Sequence, residues 1–127
     1  ITLDRFWPKV RIGDRLHIGS LMLEVSFPRI PCATLAARVG DVQFLKVFVA
    51  AKRAGVYARV IQAGTIASGD SASVVPAPSS HPYAESLFTL WHSNPRDRQL
   101  IRQALDAPIA ARGRTAMMKW MDAAGTE

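Results

Sequence analysis

Residues 21–32 read LMLEVSFPRIPC, and the fold is decided in this stretch. Residues 21–27 have the composition of a strand, and Pro28 ends that strand because proline cannot donate a hydrogen bond to the neighbouring strand. A loop from Arg29 to Ala33 follows, and its two prolines restrict the backbone. The sequence therefore predicts a strand that leads into a stiff loop, with the sulfur of Cys32 held in a fixed direction.

Short strands and turns surround this stretch up to residue 76. Residues 11–19 combine a Gly-Asp turn with alternating polarity, residues 56–62 alternate again, and residues 71–75 follow a second Gly-Asp turn. A helix of about 12 residues is predicted from Asp41, which can cap it, through Arg53, with Gly55 placed to stop it. Short strands with Gly-containing turns favour a mainly β fold, a small barrel or sandwich, with one inserted helix.

The composition changes after Val75. Residues 76–83 are rich in proline and serine, which is typical of a stiff linker. Beyond them the apolar residues recur at helical spacing, and three helices are predicted within residues 84–127. We therefore expect a first domain over residues 1–75, a linker over 76–83 and a three-helix appendage. Helices of this size need a surface to cover, so they are expected to pack together or on a partner.

Charge and composition restrict the classes of protein. The 127 residues carry a net charge of +6, and residues 29–59 alone hold six basic residues against Asp41. Such a patch attracts phosphate groups, on a small cofactor, a membrane surface or nucleic acid. No apolar run is long enough to cross a membrane, and the start lacks the pattern of a signal peptide. A single cysteine fits a reducing compartment, so a cytoplasmic location is expected.

Cys32 is the first candidate for chemistry. Arg29 lies three residues away, and a nearby guanidinium favours the thiolate, which attacks electrophiles and binds metals. The alternative is a buried, inert cysteine, which is the commonest state of a lone free thiol. The sequence alone leaves both interpretations open.

Basic residues on the following elements are the second candidates. Lys52 and Arg53 lie in the predicted last turn of a helix, where positive charge interacts favourably with the helix dipole even without a ligand. Arg59 projects from a strand beside Tyr57 and is therefore the stronger candidate to hold an anion. The histidines, which are His17, His81 and His92, have no spacing typical of a metal site. Because the basic residues fall on different elements, nucleic acid is an unlikely partner.

The order of these motifs resembles the MOSC (molybdenum-cofactor sulfurase C-terminal) domain family. The resemblance covers roughly residues 10–120 and is carried by IGDRLHIG at 12–19, LEVSFPRIPC at 23–32, RAGVYARVI at 53–61 and the Gly-Asp pair at 69–70. The segments LWH at 90–92 and LDAPIA at 105–110 are similar to the three-helix segment of the YiiM-like subgroup. Relatives have more chain upstream, including a Gly-Glu-Asn stretch, so part of the domain is expected to be missing before residue 13.

The resemblance implies a β-barrel and a molybdenum cofactor (molybdopterin). Cys32 matches the family cysteine that ligates molybdenum or carries sulfur, and Arg29, Arg53, Tyr57 and Arg59 are expected to bind the cofactor. The implied activity is reduction of N-hydroxylated bases and related compounds, with a small-molecule substrate and a redox partner protein. A non-catalytic sulfur or cofactor carrier is the alternative.

Two further expectations concern the second half of the chain. Phosphate binding should depend on Arg29, Arg53 and Arg59 more than on Arg98 or Arg112. The helical tail should contribute to solubility and partner contact more than to chemistry, because residues 77–127 contain no thiol.

Overall fold

The computed structural model of the chain describes Leu3 and residues 9–125. In this part of the chain there are four strands, which are β1 (Arg15–Ile18), β2 (Leu21–Pro28), β3 (Val56–Gln62) and β4 (Ala72–Val75). The five helices are α1 (Ala33–Val39), α2 (Phe44–Ala51), α3 (Ala84–Trp91), α4 (Arg98–Leu105) and α5 (Ala111–Gly125).

The four strands form one antiparallel sheet in the order β3-β2-β1-β4. β1 and β2 are a hairpin in which Ile18 pairs with Leu21, and Gly19 takes the positive φ of 59° that this tight turn requires. β3 pairs with β2 through a register shift between Val25 and Phe27, so the ladder bends beside Ser26. The predicted strands at 21–27, 56–62 and 71–75 are thus present within one or two residues.

The predicted barrel is wrong for the described part of the chain. β3 and β4 lie at opposite edges of the sheet and do not pair with each other, so the sheet stays open. The fold is mixed α/β, because helices cover the sheet face that a barrel would cover with further strands. The sequence pattern could not reveal this, since alternation predicts strands but not whether the edge strands meet.

The strands and the C-terminal helices share one hydrophobic core. Val25 and Phe27 of β2 pack with Leu87 of α3, Ile101 of α4 and Met117 of α5, all of which are buried. The apolar stripes predicted for the three helices are therefore the faces that they bury. The helices pack on the sheet of the same chain, and not merely on each other. The division of the chain at residue 75 stays a prediction.

The Pro-rich segment between β4 and α3 is tied to the first half of the chain. The carboxylate of the buried Asp14 accepts a 2.7 Å hydrogen bond from the backbone N–H of Ala77. The Nδ1 atom of His81 lies 2.8 Å from the carbonyl oxygen of Ile12, and the N–H of Ile12 donates to Pro82 at 3.0 Å. These bonds hold the start of α3 against the turn that precedes β1.

The helix predicted over residues 41–53 is shorter than expected. Asp41 accepts a 2.9 Å hydrogen bond from the N–H of Gln43 in a turn, and α2 begins only at Phe44. It ends at Lys52, which adopts the left-handed conformation, before Gly55 is reached. Among the described residues no helix is both long and apolar enough to cross a membrane.

Candidate functional site

Cys32 lies where β2 passes into α1. β2 ends at Pro28, and the N–H of Arg29 donates a 3.0 Å hydrogen bond to Gly55, which ties the loop to the turn before β3. Cys32 then occupies the N-cap position of α1, with its side chain exposed. The alternative of a buried core cysteine is therefore wrong, and the thiol is available to a ligand.

The thiol opens into a cleft of about 540 Å³. Both halves of the chain contribute walls to it: the end of β2 and its loop, Tyr57 of β3, Trp91 of α3, and the start of α5. The lining residues are Phe27, Pro28, Ile30, Pro31, Cys32, Tyr57, Trp91, Ala110, Ala111, Arg112 and Gly113. The cleft is thus mainly apolar, with one thiol, one phenol and one guanidinium at its surface.

The start of α5 is held close to β2 by two features. The N–H of Ala110 donates a 3.1 Å hydrogen bond to the carbonyl of Ser26. Gly113 lies directly on the ring of Phe27, where an added Cβ would come within 2.7 Å of the Cζ atom. Glycine at this position therefore allows the helix to approach the sheet and to complete the wall opposite Cys32.

The surroundings of Cys32 lower the pKa of its thiol below the ordinary value. The main cause is the backbone amide of Leu35, followed by that of Thr34, both in the first turn of α1. Desolvation opposes these amides and raises the pKa, and the hydroxyl of Thr34 and the charge of Arg29 make smaller contributions that lower it.

The residues predicted to bind the cofactor do not all reach the cleft. Tyr57 lines it with 55% of its surface exposed. Arg29 and Arg53 are exposed on the loop and the turn that the Arg29–Gly55 hydrogen bond joins, but in the described part of the chain neither is a lining residue. They lie at the rim of the site region, and their role in binding stays a prediction.

Arg59 is engaged in an ion pair. Its Nη1 atom lies 2.8 Å from Oε1 of Glu24, on the neighbouring strand β2, and Arg15 of β1 contacts the other carboxylate oxygen at 3.1 Å. The Nη2 atom of Arg59 also reaches the carbonyl of Ile109 at 3.4 Å. These contacts give Arg59 a structural role between the sheet and the segment before α5.

Sequence reasoning did not connect the helical tail with the cleft. Trp91 and Arg112 both line it, although Arg112 was expected to matter less for phosphate binding than Arg29, Arg53 and Arg59. The tail therefore forms part of the cleft wall, and the expectation that it contributes to solubility and partner contact more than to chemistry stays a prediction. No local signal in the sequence would have found these two lining residues, because only tertiary packing brings α3 and α5 to Cys32.

A second groove of about 520 Å³ adjoins the cleft. Trp91, Ala111 and Arg112 line both spaces, and the groove continues along α5 to Trp120. Its other lining residues are Thr115, Ala116 and Lys119.

The described residues contain no group of three or more His, Cys, Asp or Glu side chains that could hold a metal ion. His81 and His92 are each hydrogen bonded to backbone carbonyls, of Ile12 and Phe88, and lie apart from Cys32. Over the described ranges, a metal at the cleft would therefore have Cys32 as a single ligand of these residue types.

Comparison with known proteins identifies the family. The MOSC domain model matches residues 1–73, which is more than half of the chain and includes Cys32. The chain belongs to the MOSC domain family.

Solved structures extend the likeness to the helices. YiiM from Geobacillus stearothermophilus superposes with a TM-score of 0.79 at 24% identity, over 87% of this chain and 57% of that one. YiiM from Escherichia coli superposes with a TM-score of 0.76 at 22% identity, over 87% of this chain and 55% of that one. These values show a YiiM-like fold, as the resemblance in the tail predicted.

One curated relative is named a reductase. This protein of Gibberella moniliformis (strain M3125 / FGSC 7600) is 40% identical over 79 residues, which is 61% of this chain but 14% of the relative. The chain thus spans a small part of that reductase and slightly over half of each YiiM structure.

Proposed function

We propose that this domain binds the molybdenum cofactor with the sulfur of Cys32 as the ligand that the protein gives to molybdenum, and that it supports reduction of N-hydroxylated bases and related compounds. The observation that carries the proposal is an exposed thiol of lowered pKa that opens into an apolar cleft, within a domain of the MOSC family.

The residues present fit a pterin-bound metal. Thiolate is a suitable ligand for such a metal centre, and the backbone amides of Leu35 and Thr34 lower the pKa of the thiol and so favour the thiolate. The cleft volume lies within the range of about 300–1,000 Å³ that is usual for small-molecule and cofactor sites. Its apolar walls suit a planar ring system.

Reduction of an N-hydroxylated base breaks the N–O bond. Two electrons and two protons enter, and an amine and one water molecule leave. The bound cofactor would supply the two-electron chemistry, and a redox partner protein would supply the electrons.

The chain's own residues hold and orient the reactants. Cys32 would hold the metal, Pro28 and Pro31 limit the movement of the loop, and Trp91 and Phe27 exclude water from the apolar wall. The hydroxyl of Tyr57, which lines the same cleft, would donate a hydrogen bond to the substrate.

The test replaces Cys32 with serine in protein produced by a host that makes the cofactor. Because the side chain is exposed, the free energy of unfolding should change by less than about 0.5 kcal/mol. Molybdenum per folded molecule and reduction of an N-hydroxylated base should both be lost, since serine is a poorer soft-metal ligand. The control is Val42→Ala, at an exposed residue that does not line the cleft, and it should retain both.

A non-catalytic carrier would give a different result. The unaltered protein would contain cofactor or persulfide that depends on Cys32, yet it would not reduce the substrate when a suitable electron donor is added. Full metal content and full activity in Cys32→Ser would refute both forms of the proposal.

A further inference from the structure

The groove beside the Cys32 cleft continues along α5 beyond the residues that the proposed reaction uses. Its walls combine two tryptophans, Trp91 and Trp120, with the cations Arg112 and Lys119, and no acidic residue is among its lining residues in the described chain. Apolar aromatic walls with convergent positive charge are typical of a site for a planar, anionic ligand.

The spacing along α5 places these cations on one side of the helix. Arg112, Thr115, Ala116 and Lys119 follow the i, i+3, i+4, i+7 pattern of a single helix face, and all four line the groove. Seven residues rise about 10 Å along a helix axis, so two positive charges are offered at different distances from Cys32. Arg112 lies at the junction with the cleft, and Lys119 lies farther along the groove.

The tryptophan wall is anchored. Trp91 and Trp120 meet edge to face with ring centroids 5.1 Å apart, and the guanidinium of Arg96 lies 3.9 Å from the centroid of Trp120. On the side of the cleft, the rings of Phe27 and Trp91 meet edge to face with their centroids 5.9 Å apart. A ligand in the groove would therefore meet a wall that is already ordered, which limits the entropy lost on binding.

From this arrangement we infer that the groove binds the phosphate of a nucleotide, so that the preferred substrate is an N-hydroxylated nucleoside monophosphate and not the free base. The inference rests on the proposed function for the reacting end of the substrate. Lys119 and Arg112 take the phosphate, the tryptophans line the nucleoside, and the N-hydroxyl group extends toward Cys32. The phosphate of the pterin is the other source of the same chemistry, and the experiment separates the two.

The test begins with binding to the protein without cofactor, measured by calorimetry with AMP and with adenosine as probes. AMP should bind roughly 10-fold more tightly than adenosine, because a charge-assisted contact contributes about that much. Lys119→Gln and Arg112→Gln should each remove most of this preference. Lys46→Gln, which makes the same change of charge on the exposed face of α2, should leave it unchanged.

Several results would overturn the inference. Equal affinity for AMP and adenosine would do so, and an equal loss in Lys46→Gln would indicate diffuse attraction to a basic protein. Pterin and molybdenum content of the same variants, isolated from a cofactor-producing host, separates the sources of phosphate. If Lys119→Gln lowers pterin content as strongly as Cys32→Ser, the groove holds the cofactor's phosphate. The nucleotide inference is then wrong, and the proposed function is unaffected. If Cys32→Ser retains molybdenum while the AMP preference is intact, the proposed function fails and the nucleotide site stands.

Discussion

Two regions of the molecule differ in how completely their apolar side chains are covered. Where α3, α4 and α5 pack on β2 the core is sealed, and Leu87 and Met117 have no exposed surface. On α2 and the edge strand β3, Val47 and Val60 leave about 60% of their surface in contact with solvent. The cleft at Cys32 is lined by the end of β2 with its loop and by residues of α3 and α5. Its helical wall therefore belongs to the well-covered region, while Cys32 itself is exposed.

Core substitutions should show the largest difference between the two regions. Leu87→Ala removes a fully buried side chain and should lower the free energy of unfolding by about 2–5 kcal/mol. Val47→Ala, on a helix without a buried residue, should change it by less than about 0.5 kcal/mol. Urea denaturation of the two variants measures both values. Similar losses would show that the α2 side is as well packed as the core.

Gly113→Ala tests the closeness of α5 to β2. In an exposed helix interior this change stabilises by about 1 kcal/mol, because glycine is a poor helix former. Here the new Cβ would meet the ring of Phe27, so a loss of about 1–3 kcal/mol is expected from overpacking. The direction in which the midpoint of thermal unfolding moves decides between stabilisation and overpacking. A stabilised variant would mean that the cleft wall is looser than described.

A smaller effect is expected at the ion pair of the sheet. Glu24→Gln should cost about 1 kcal/mol, because two arginines lose the charge of a nearly buried carboxylate. Arg59→Gln should cost less, since Arg59 is 39% exposed and Arg15 still contacts Glu24. A double-mutant cycle measures the coupling. An Arg59→Gln variant with an unchanged free energy of unfolding and a lower cofactor content would contradict this structural role. Arg59 would then bind the cofactor, as the family resemblance implies.

The smallest effect concerns how the rate of alkylation of the Cys32 thiol depends on pH. Because the pKa is lowered, the thiolate forms at lower pH, and the rate of alkylation by iodoacetamide should reach half of its maximum below the pH found for a free cysteine peptide. Thr34→Val removes only the hydroxyl contribution, so it should move that midpoint upward while leaving it below the peptide's. An unchanged midpoint in wild type and peptide would contradict the described surroundings of the thiol.

Local features of this molecule could be read from its sequence. Pro28 ends β2 as predicted, and the apolar spacing of Ala84, Leu87 and Phe88 marks the buried face of α3. These features depend on neighbouring residues in the chain, which a sequence pattern records directly. The loop that holds Cys32 could be read for the same reason, because it is continuous with β2.

Long-range features could not be read in this way. The open sheet depends on which strands meet, and the entry of Trp91 and Arg112 into the site depends on how α3 and α5 pack on β2. Arg59 illustrates the limit from the other side. A basic residue on a half-buried strand suggested an anionic ligand, and in the structure Arg59 contacts Glu24, whose position opposite it follows from the register of β2 and β3. Binding of the cofactor by Arg59 stays a prediction.

X-ray absorption at the molybdenum edge tests the central claim most directly, since it counts the sulfur ligands of the bound metal. The wild-type protein should have one more sulfur ligand than any residual metal-loaded Cys32→Ser, and the Val42→Ala control should match the wild type. If Cys32→Ser binds a full complement of molybdenum with an unchanged number of sulfur ligands, Cys32 does not ligate the metal and the account of the site is wrong.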